Sequence, residues 1–326
     1  MTDPAYERPL VTFALFAYNQ EKYIREAVEG AFSQTYEPLE IILSDDCSSD
    51  RTYEIIQEMA AAYEGPHEVR IRRNKLNVGF ADHINIVVSD SNGKYIVWAA
   101  GDDVSLPERA KQLVKPFETD PDIVGTYSDI REIDVNGDQT GKVRRKNKQK
   151  QDPTLLDVIE RNFSINTQSH CFNKNMMVQF PKLNSDLTYE APCMTLRELL
   201  VGKVEYVSTI TVNYRVGSGT STYRGHNVHR RRQTEPAKVA EWRRSSAKQM
   251  LDDLEFFAVT GFAIEKQVLR RKIRGATRLR EVNMKTLNIG GLLKNLVEGI
   301  YVRDTSRAFF RRNSPVWLWN FFSKKS

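Results

Sequence analysis

Between residues 10 and 130 the chain alternates so regularly that few folds can accommodate it. Apolar, β-rich runs take turns with segments whose apolar residues recur at helical spacing. VTFALFAY (11–18), LEIILSDD (39–46), EVRIRR (68–73), KYIVWAAGDD (94–103) and DIVGTYSDIREID (122–134) read as strands. EKYIREAVEGAFSQ (21–34) sets Ile24, Ala27, Val28, Ala31 and Phe32 at helical spacing, and SSDRTYEIIQEMAAAY (48–63) opens with capping residues. GFADHINIVVSDS (79–91) and PERAKQLVKPFE (107–118), the latter with proline at its start, complete the helical set. Strands separated by helices of this length wind into an α/β fold, a mostly parallel doubly wound sheet.

In such sheets, ligands bind outside the carboxyl ends of the strands. Three of the expected ends carry polar clusters: Tyr18 with Asn19, Asp45 with Asp46, and Asp102 with Asp103. Several acids gathered at one crevice suggest a site for a divalent cation.

Length and composition narrow the class. A chain of 326 residues suits one large α/β domain with an appendage, or two modest domains. Its 40% hydrophobic content is enough for a core and excludes wholesale disorder. No apolar run approaches the ~20 residues of a spanning helix; the best, FFAVTGFAI (256–264), is much shorter. Residues 1–10 lack a basic stretch followed by an apolar one, so no secretory signal is expected there. Cys47, Cys171 and Cys193 are widely spaced with no CxxC pair, which argues against a disulfide framework and a zinc site. A cytosolic protein is the expectation.

Charge is unevenly distributed. Residues 1–228 carry 26 Lys and Arg against 33 Asp and Glu, a net of −7, whereas 229–326 carry 22 against 9, a net of +13. An acidic body with a basic tail predicts that the tail meets something anionic, either nucleic acid or a membrane face. Residues 135–153, with six Lys and Arg between 142 and 150, read as a loop. Residues 154–228 return to mixed α/β, and 195–216 read as a helix followed by two short strands. From 229 onward the sequence predicts Arg-rich helices carrying Trp242, Phe309, Phe310, Trp317, Trp319, Phe321 and Phe322. The expected domains are therefore 1–228 and a basic helical extension, 229–326.

The segment VTFALFAYNQEKYIREAVEGAFSQTYEPLEIILSDDCSSDRT resembles the opening of glycosyltransferase family 2, the GT-A fold. That family reads strand–TYN–x–E, a helix ending SxxxQTY, then IIVDDGSTDxT. NKLNVGFADHINIVVSDSNGKYIVWAAGDDVSLPERA continues in the manner of NxGxxxARNxGxxxAxGxYIxxLDxDDxxxPxxL, and the likeness spans residues 10–225. It implies an inverting enzyme that moves a sugar from a nucleotide diphosphate to an acceptor hydroxyl. On the family pattern, Asp102 and Asp103 hold Mg²⁺ or Mn²⁺ against the leaving diphosphate, although a further family Asp is replaced by Ala100.

The same resemblance implies the donor contacts. Asp46 matches the carboxylate that accepts a base N–H of a uridine-type nucleotide, while Asp45 supports the turn. Tyr18, Glu21, Asp102 and Arg73 join the donor side, with Arg72 equally placed and Phe16 standing where the family has a small residue. Asn85 matches the Asn of the ARN motif, and His83 beside it reads as structural. TYEAPCMTLRELLVGKVEYVSTITVNYRVGSGTST resembles the acceptor-side region, whose ED pair supplies the general base. Glu190 is present, but the usual Asp is Ala191; Arg215 is placed to neutralise diphosphate.

Residues 289–326 interleave Leu, Val, Phe and Trp with Lys and Arg, a mixture suited to reversible binding at an anionic membrane surface. Family members with such tails extend lipid-linked saccharides for bacterial surface polysaccharides, which implies a lipid-linked acceptor and a peripheral place at the inner membrane face. Packing of the tail aromatics on the catalytic domain or in a homo-oligomer stays open. A nucleic-acid partner is not expected. Ala100 and Ala191 keep a second reading in view, an impaired member that binds nucleotide sugar or glycan without turnover.

Overall fold

The computed structural model describes residues 8–144, 153–160, 163–218, 228–256 and 270. Four β-α steps and a further strand occupy the residues up to 133: β1 (Val11–Ala17), α1 (Ile24–Phe32), β2 (Leu39–Asp45), α2 (Thr52–Ala61), β3 (Glu68–Arg73), α3 (Phe80–Asp90), β4 (Tyr95–Ala100), β5 (Val104–Ser105), α4 (Arg109–Thr119) and β6 (Ile123–Ile133). There follow β7 (Gln139–Arg144), α5 (Leu155–Glu160), β8 (Cys171–Asn173), α6 (Lys174–Val178), α7 (Ala191–Val201), β9 (Lys203–Arg215) and α8 (Val228–Phe256).

All nine strands among the described residues form one sheet, ordered β3-β2-β1-β4-β8-β6-β9-β5, with β7 paired to β6. The pairings leave β1, β2, β3, β4, β6 and β9 running one way; only the short β5, β7 and β8 run against them. Period-two alternation sends adjacent side chains to opposite faces, so one strand feeds two cores. From β1, Phe13 and Leu15 pack with Ile24 and Val28 of α1 and Leu113 of α4. Ala14 and Phe16 face the other way, toward Ile84 of α3, Met194 of α7 and Met250 of α8. This is the expected α/β architecture, with helices on both faces.

Three expectations change in detail. The fourth strand stops at Ala100, so Asp102 and Asp103 sit in a turn before β5. Residues 203–215 form one long strand instead of two short ones, because irregular register with β6 bends it without ending it. Residues 139–144, read as loop, hairpin onto β6 through a turn closed by Asp134 N–H bonding to Asp138 C=O at 2.8 Å.

The expected boundary at 228 falls where α8 begins. The later part of that helix belongs to the core: Ala247, Met250 and Leu254 are buried, and Asp253 accepts both arms of the Arg197 guanidinium at 2.8 and 2.7 Å. Trp242 lies with its ring 6.0 Å from that of Tyr189, so this tail aromatic packs on the α/β body. No helix among the described residues is long and apolar enough to cross a membrane. The stretches 145–150, 256–264 apart from Phe256, and 289–326 lie outside the described residues.

Candidate active site at the carboxyl ends of the strands

The loops after β1 and β2 are stitched to each other by side chains capping backbone. Asn19 N–H donates to Ser48 Oγ at 2.9 Å, and Asn19 Oδ1 accepts from Ser49 N–H at 2.8 Å. Glu21 N–H donates to Asp50 Oδ2 at 3.0 Å, while Glu21 Oε2 accepts from Arg51 N–H at 3.2 Å. Reciprocal bonds of this kind fix two irregular segments that cannot bond within a sheet. Tyr18 is left 40% exposed on the rim they form.

Asp45 and Asp46 divide their tasks as strand alternation requires. Asp45, fully buried, accepts from Ser48 N–H at 3.0 Å and pairs with Arg73 Nε at 3.2 Å. Arg73 also donates to Ser48 C=O at 2.7 Å and lies over the Tyr53 ring. Asp46 turns the other way and gathers the next loop, accepting from Asn74 Nδ2 at 2.7 Å, Val78 N–H at 3.0 Å and Gly79 N–H at 3.1 Å. Arg72 bonds Ser44 Oγ and Asn74 Oδ1 and pairs with Asp90 at 3.2 Å. His83, 2.5 Å from Ser44 Oγ and edge-on to Phe16, is pushed down to about 4 by burial, against the pull of Asp46, and is neutral at pH 7.

Beyond β4 the chemistry differs. Asp102 and Asp103 are buried at the turn, where Asp102 Oδ2 accepts from Ser218 Oγ at 2.8 Å and Asp103 Oδ1 accepts from Arg215 N–H at 2.8 Å. Burial raises Asp102, with the Ser218 hydroxyl and Arg215 opposing it; burial and the neighbouring Asp102 charge hold Asp103 well above the carboxylate range. Arg215 is only 1% exposed. Its guanidinium donates to Asp102 C=O at 3.0 Å, to Asp134 C=O at 3.1 Å and to Glu26 Oε2 at 3.0 Å, and stacks over Tyr23. The structure thus brings Arg215 to the acidic turn as a clamp joining three segments.

Glu190 occupies the N-cap position of α7 and is buried, its carboxylate held by Thr167. Burial raises it, and the Thr167 hydrogen bond and the charge of His170 pull it back in part. β8 runs antiparallel to β4, with Trp98 N–H bonded to His170 C=O at 3.0 Å. The segment that carries Thr167 therefore runs back along β4 toward Asp102. Ala191 is the first residue of α7 and is buried.

Sequence reasoning missed Arg109, Ser218, Thr167 and His170. Arg109 is fully buried, bonds Ser105 Oγ at 2.8 Å and Gln168 C=O at 2.7 Å, and is lowered to about 10 by burial, with Asp103 opposing. One signal was available: Arg109 shares its helical stripe with Leu113 and Phe117. The other three carry no local pattern.

Among the described residues no group of three or more His, Cys, Asp or Glu side chains converges as a metal site. The donor set still suits a hard dication. Two adjacent buried carboxyls repel each other when ionised, and a cation that keeps most of its ligands as water and phosphate oxygens needs only one or two carboxylates.

The sequence profile described as glycosyl transferase family 2 matches residues 12–180, more than half of the chain. The chain belongs to this family. Its relatives include an uncharacterized glycosyltransferase of Haemophilus influenzae, 34% identical over 136 residues, which are 40% of this chain and 41% of that protein. The putative glycosyltransferase EpsE of Bacillus subtilis is 36% identical over 110 residues, 34% of this chain and 39% of that one. The chain thus spans about two fifths of the length of these curated relatives. Staphylococcus aureus TarS 1–349, solved with UDP-GlcNAc, shares the fold with a TM-score of 0.58 at 16% identity, over 86% of this chain and 76% of that one. The mannosyltransferase PcManGT of Pyrobaculum calidifontis, solved with GDP-Man and Mn²⁺, gives 0.54 at 13% identity over 95% and 86%.

Proposed function

We propose that this family member is a metal-dependent, inverting glycosyltransferase that moves a sugar from a UDP- or dTDP-type donor to a saccharide acceptor. The observation that carries the reading is the buried Asp102–Asp103 turn at the carboxyl end of β4, with both carboxyls raised. Strongly perturbed acids in a crevice of an α/β sheet favour a catalytic role over a merely structural one. The solved complexes of TarS with UDP-GlcNAc and PcManGT with GDP-Man and Mn²⁺ support a nucleotide-sugar donor and a metal.

In this reading, Tyr18, Glu21, Asp46 and Arg73 line the nucleotide's side of the crevice. Asp102 and Asp103 hold Mg²⁺ or Mn²⁺, which supplies charge neutralisation for the departing diphosphate. Arg215 keeps that turn in place from behind. Glu190 takes the proton of the acceptor hydroxyl as its oxygen bonds to the anomeric carbon. The bond from that carbon to the phosphate oxygen breaks, and its electron pair leaves with the diphosphate. A base with a raised pKa holds the proton more firmly once taken, which assists the attack near neutral pH.

A lipid-linked acceptor at the inner face of the cell membrane, reached through the basic residues 229–326, completes the proposal and fits the net +13 of that segment. Assembly as a homo-oligomer is the remaining partner proposal. Ala191, buried where the family has its acid, favours a second reading as an impaired binder.

A donor screen with Mg²⁺ or Mn²⁺, reading acceptor-dependent release of nucleotide diphosphate, separates the two. Glu190→Gln should cost about 10²–10⁴-fold in rate if Glu190 is the base. If Ala191→Asp instead restores a slow enzyme by a similar factor, the base belongs at 191. Donor binding with no acceptor-dependent release in either form sinks the catalytic reading.

A further inference from the structure

The short stretch from the end of β9 to Ser218 grips the acidic turn at three points. Arg215 N–H donates to Asp103 Oδ1 at 2.8 Å, and Arg215 Nε donates to Asp102 C=O at 3.0 Å. Ser218 Oγ donates to Asp102 Oδ2 at 2.8 Å.

Ser218 reaches that carboxylate because the chain turns back after β9. Gly217 adopts φ 97°, in the left-handed region that glycine enters without Cβ strain. The reversal sets Ser218 Oγ 3.3 Å from Arg215 C=O as well as on Asp102. A serine hydroxyl carries one proton, so it serves one acceptor at a time, and the shorter bond goes to the carboxyl.

These bonds sort the four carboxyl oxygens of the turn into two kinds. Asp102 Oδ2 and Asp103 Oδ1 are tied. Among the described residues, no other residue hydrogen-bonds Asp102 Oδ1 or Asp103 Oδ2. Each acid thus gives one oxygen to the fold and keeps one for a ligand. One free oxygen on each of two adjacent residues suits a small dication that takes one or two carboxylates and completes its shell with water and phosphate. The two ties differ in kind. The Asp103 tie comes from backbone, which no side-chain substitution removes, whereas the Asp102 tie comes from the half-buried side chain of Ser218.

We propose that Ser218 is a positioning residue for the cation: by holding Asp102 Oδ2, its hydroxyl fixes the carboxylate so that Oδ1 is left to the metal. The inference rests on the reading of Asp102 and Asp103 as the metal-holding pair. In this role Ser218 touches no substrate; it acts through Asp102. Without the hydroxyl the carboxylate is free to rotate, and the ordering already built into the fold must then be supplied when the cation binds. Loss of a hydrogen bond that orients a metal ligand costs about 10–100-fold in metal affinity.

The test titrates Mn²⁺ into the full chain, alone and with UDP, and reads the free ion by its electron paramagnetic resonance signal. Ser218→Ala should weaken Mn²⁺ binding by about 10–100-fold and leave the melting temperature in metal-free buffer unchanged. Ser218→Thr, which keeps the hydroxyl, should bind Mn²⁺ as the wild type does. In turnover, the alanine variant should need more Mn²⁺ for half-saturation yet approach the wild-type kcat once metal is saturating. Unchanged Mn²⁺ affinity in Ser218→Ala overturns the inference, whether or not the melting temperature falls, because the hydroxyl then only braces the turn. Equal loss in Ser218→Thr overturns it too, since the hydroxyl is then not the cause. Asp103→Asn separates this inference from the reading beneath it. If Asp103→Asn abolishes Mn²⁺ binding while Ser218→Ala leaves it intact, the metal-holding pair stands and the role of Ser218 is wrong. If the wild type binds no Mn²⁺, or Asp103→Asn binds it unchanged, the metal reading fails and the role of Ser218 fails with it.

Discussion

The two sides of the crevice are held together differently. On the β1–β3 side, carboxylates are met by short, direct hydrogen bonds: Asp45 by Ser48 and Arg73, Asp46 by Asn74 and two backbone N–H groups. On the β4–β9 side, Asp102, Asp103 and Glu190 are buried with fewer direct partners, and all three are raised by desolvation. A satisfied carboxylate fixes a loop; an under-satisfied one is poised to take up a proton or a cation. The fold thus separates a rigid shelf from a reactive wall.

The strongest way to break that comparison is to neutralise the wall. Asp103→Asn should lower metal-dependent turnover on the order of 10³-fold, several kcal/mol of lost charge stabilisation, while leaving the melting temperature unchanged or raised. If Asp103→Asn instead unfolds the protein at full metal saturation, the turn is scaffold and the contrast fails.

A second test concerns the support behind the wall. Arg197→Ala leaves Asp253 buried without its bidentate partner, and denaturant unfolding should show a loss of about 3–5 kcal/mol. Loss of less than about 1 kcal/mol would mean that α8 is not bound into the core through this pair.

The shelf has its own pH signature. His83 is held at about 4 against 6.5 in the unfolded chain, so between these values the unfolded state binds more protons. Stability from this source is present above about pH 6.5 and is lost as pH falls toward 4, by a few kcal/mol at most. Replacing His83 by Asn should flatten that part of the stability–pH curve, whereas an unchanged slope would place the titration elsewhere.

The smallest effect is expected at Cys47, which adopts φ 61°, a left-handed conformation. Glycine removes the Cβ conflict but loosens the unfolded chain, so Cys47→Gly should stabilise by about 1 kcal/mol or less, a rise in melting temperature of a few degrees. Donor affinity should not change; a marked loss would show that the thiol contributes to the shelf directly.

Much of the shelf and half of the wall were legible in the linear chain. Asp45, Asp46, Asp102 and Asp103 stand just after apolar runs, and a strand-end position is a local property. β8 was not legible, because three residues carry no usable alternation. Arg215 could be placed at a strand end, but nothing near it in sequence shows that it is 1% exposed and bonded to Glu26, 189 residues away.

By itself, then, the sequence determined the alternation, the two-faced sheet and the row of acids at its carboxyl edge, because periodic burial depends only on neighbours a few residues apart. Tertiary structure decided what those acids experience. Whether a carboxylate meets two backbone N–H groups, as Asp46 does, or a second buried carboxyl, as Asp103 does, depends on segments that fold over it from elsewhere in the chain. Desolvation and pairing act through space, so the charge state of the wall belongs to the fold and not to any stretch of sequence.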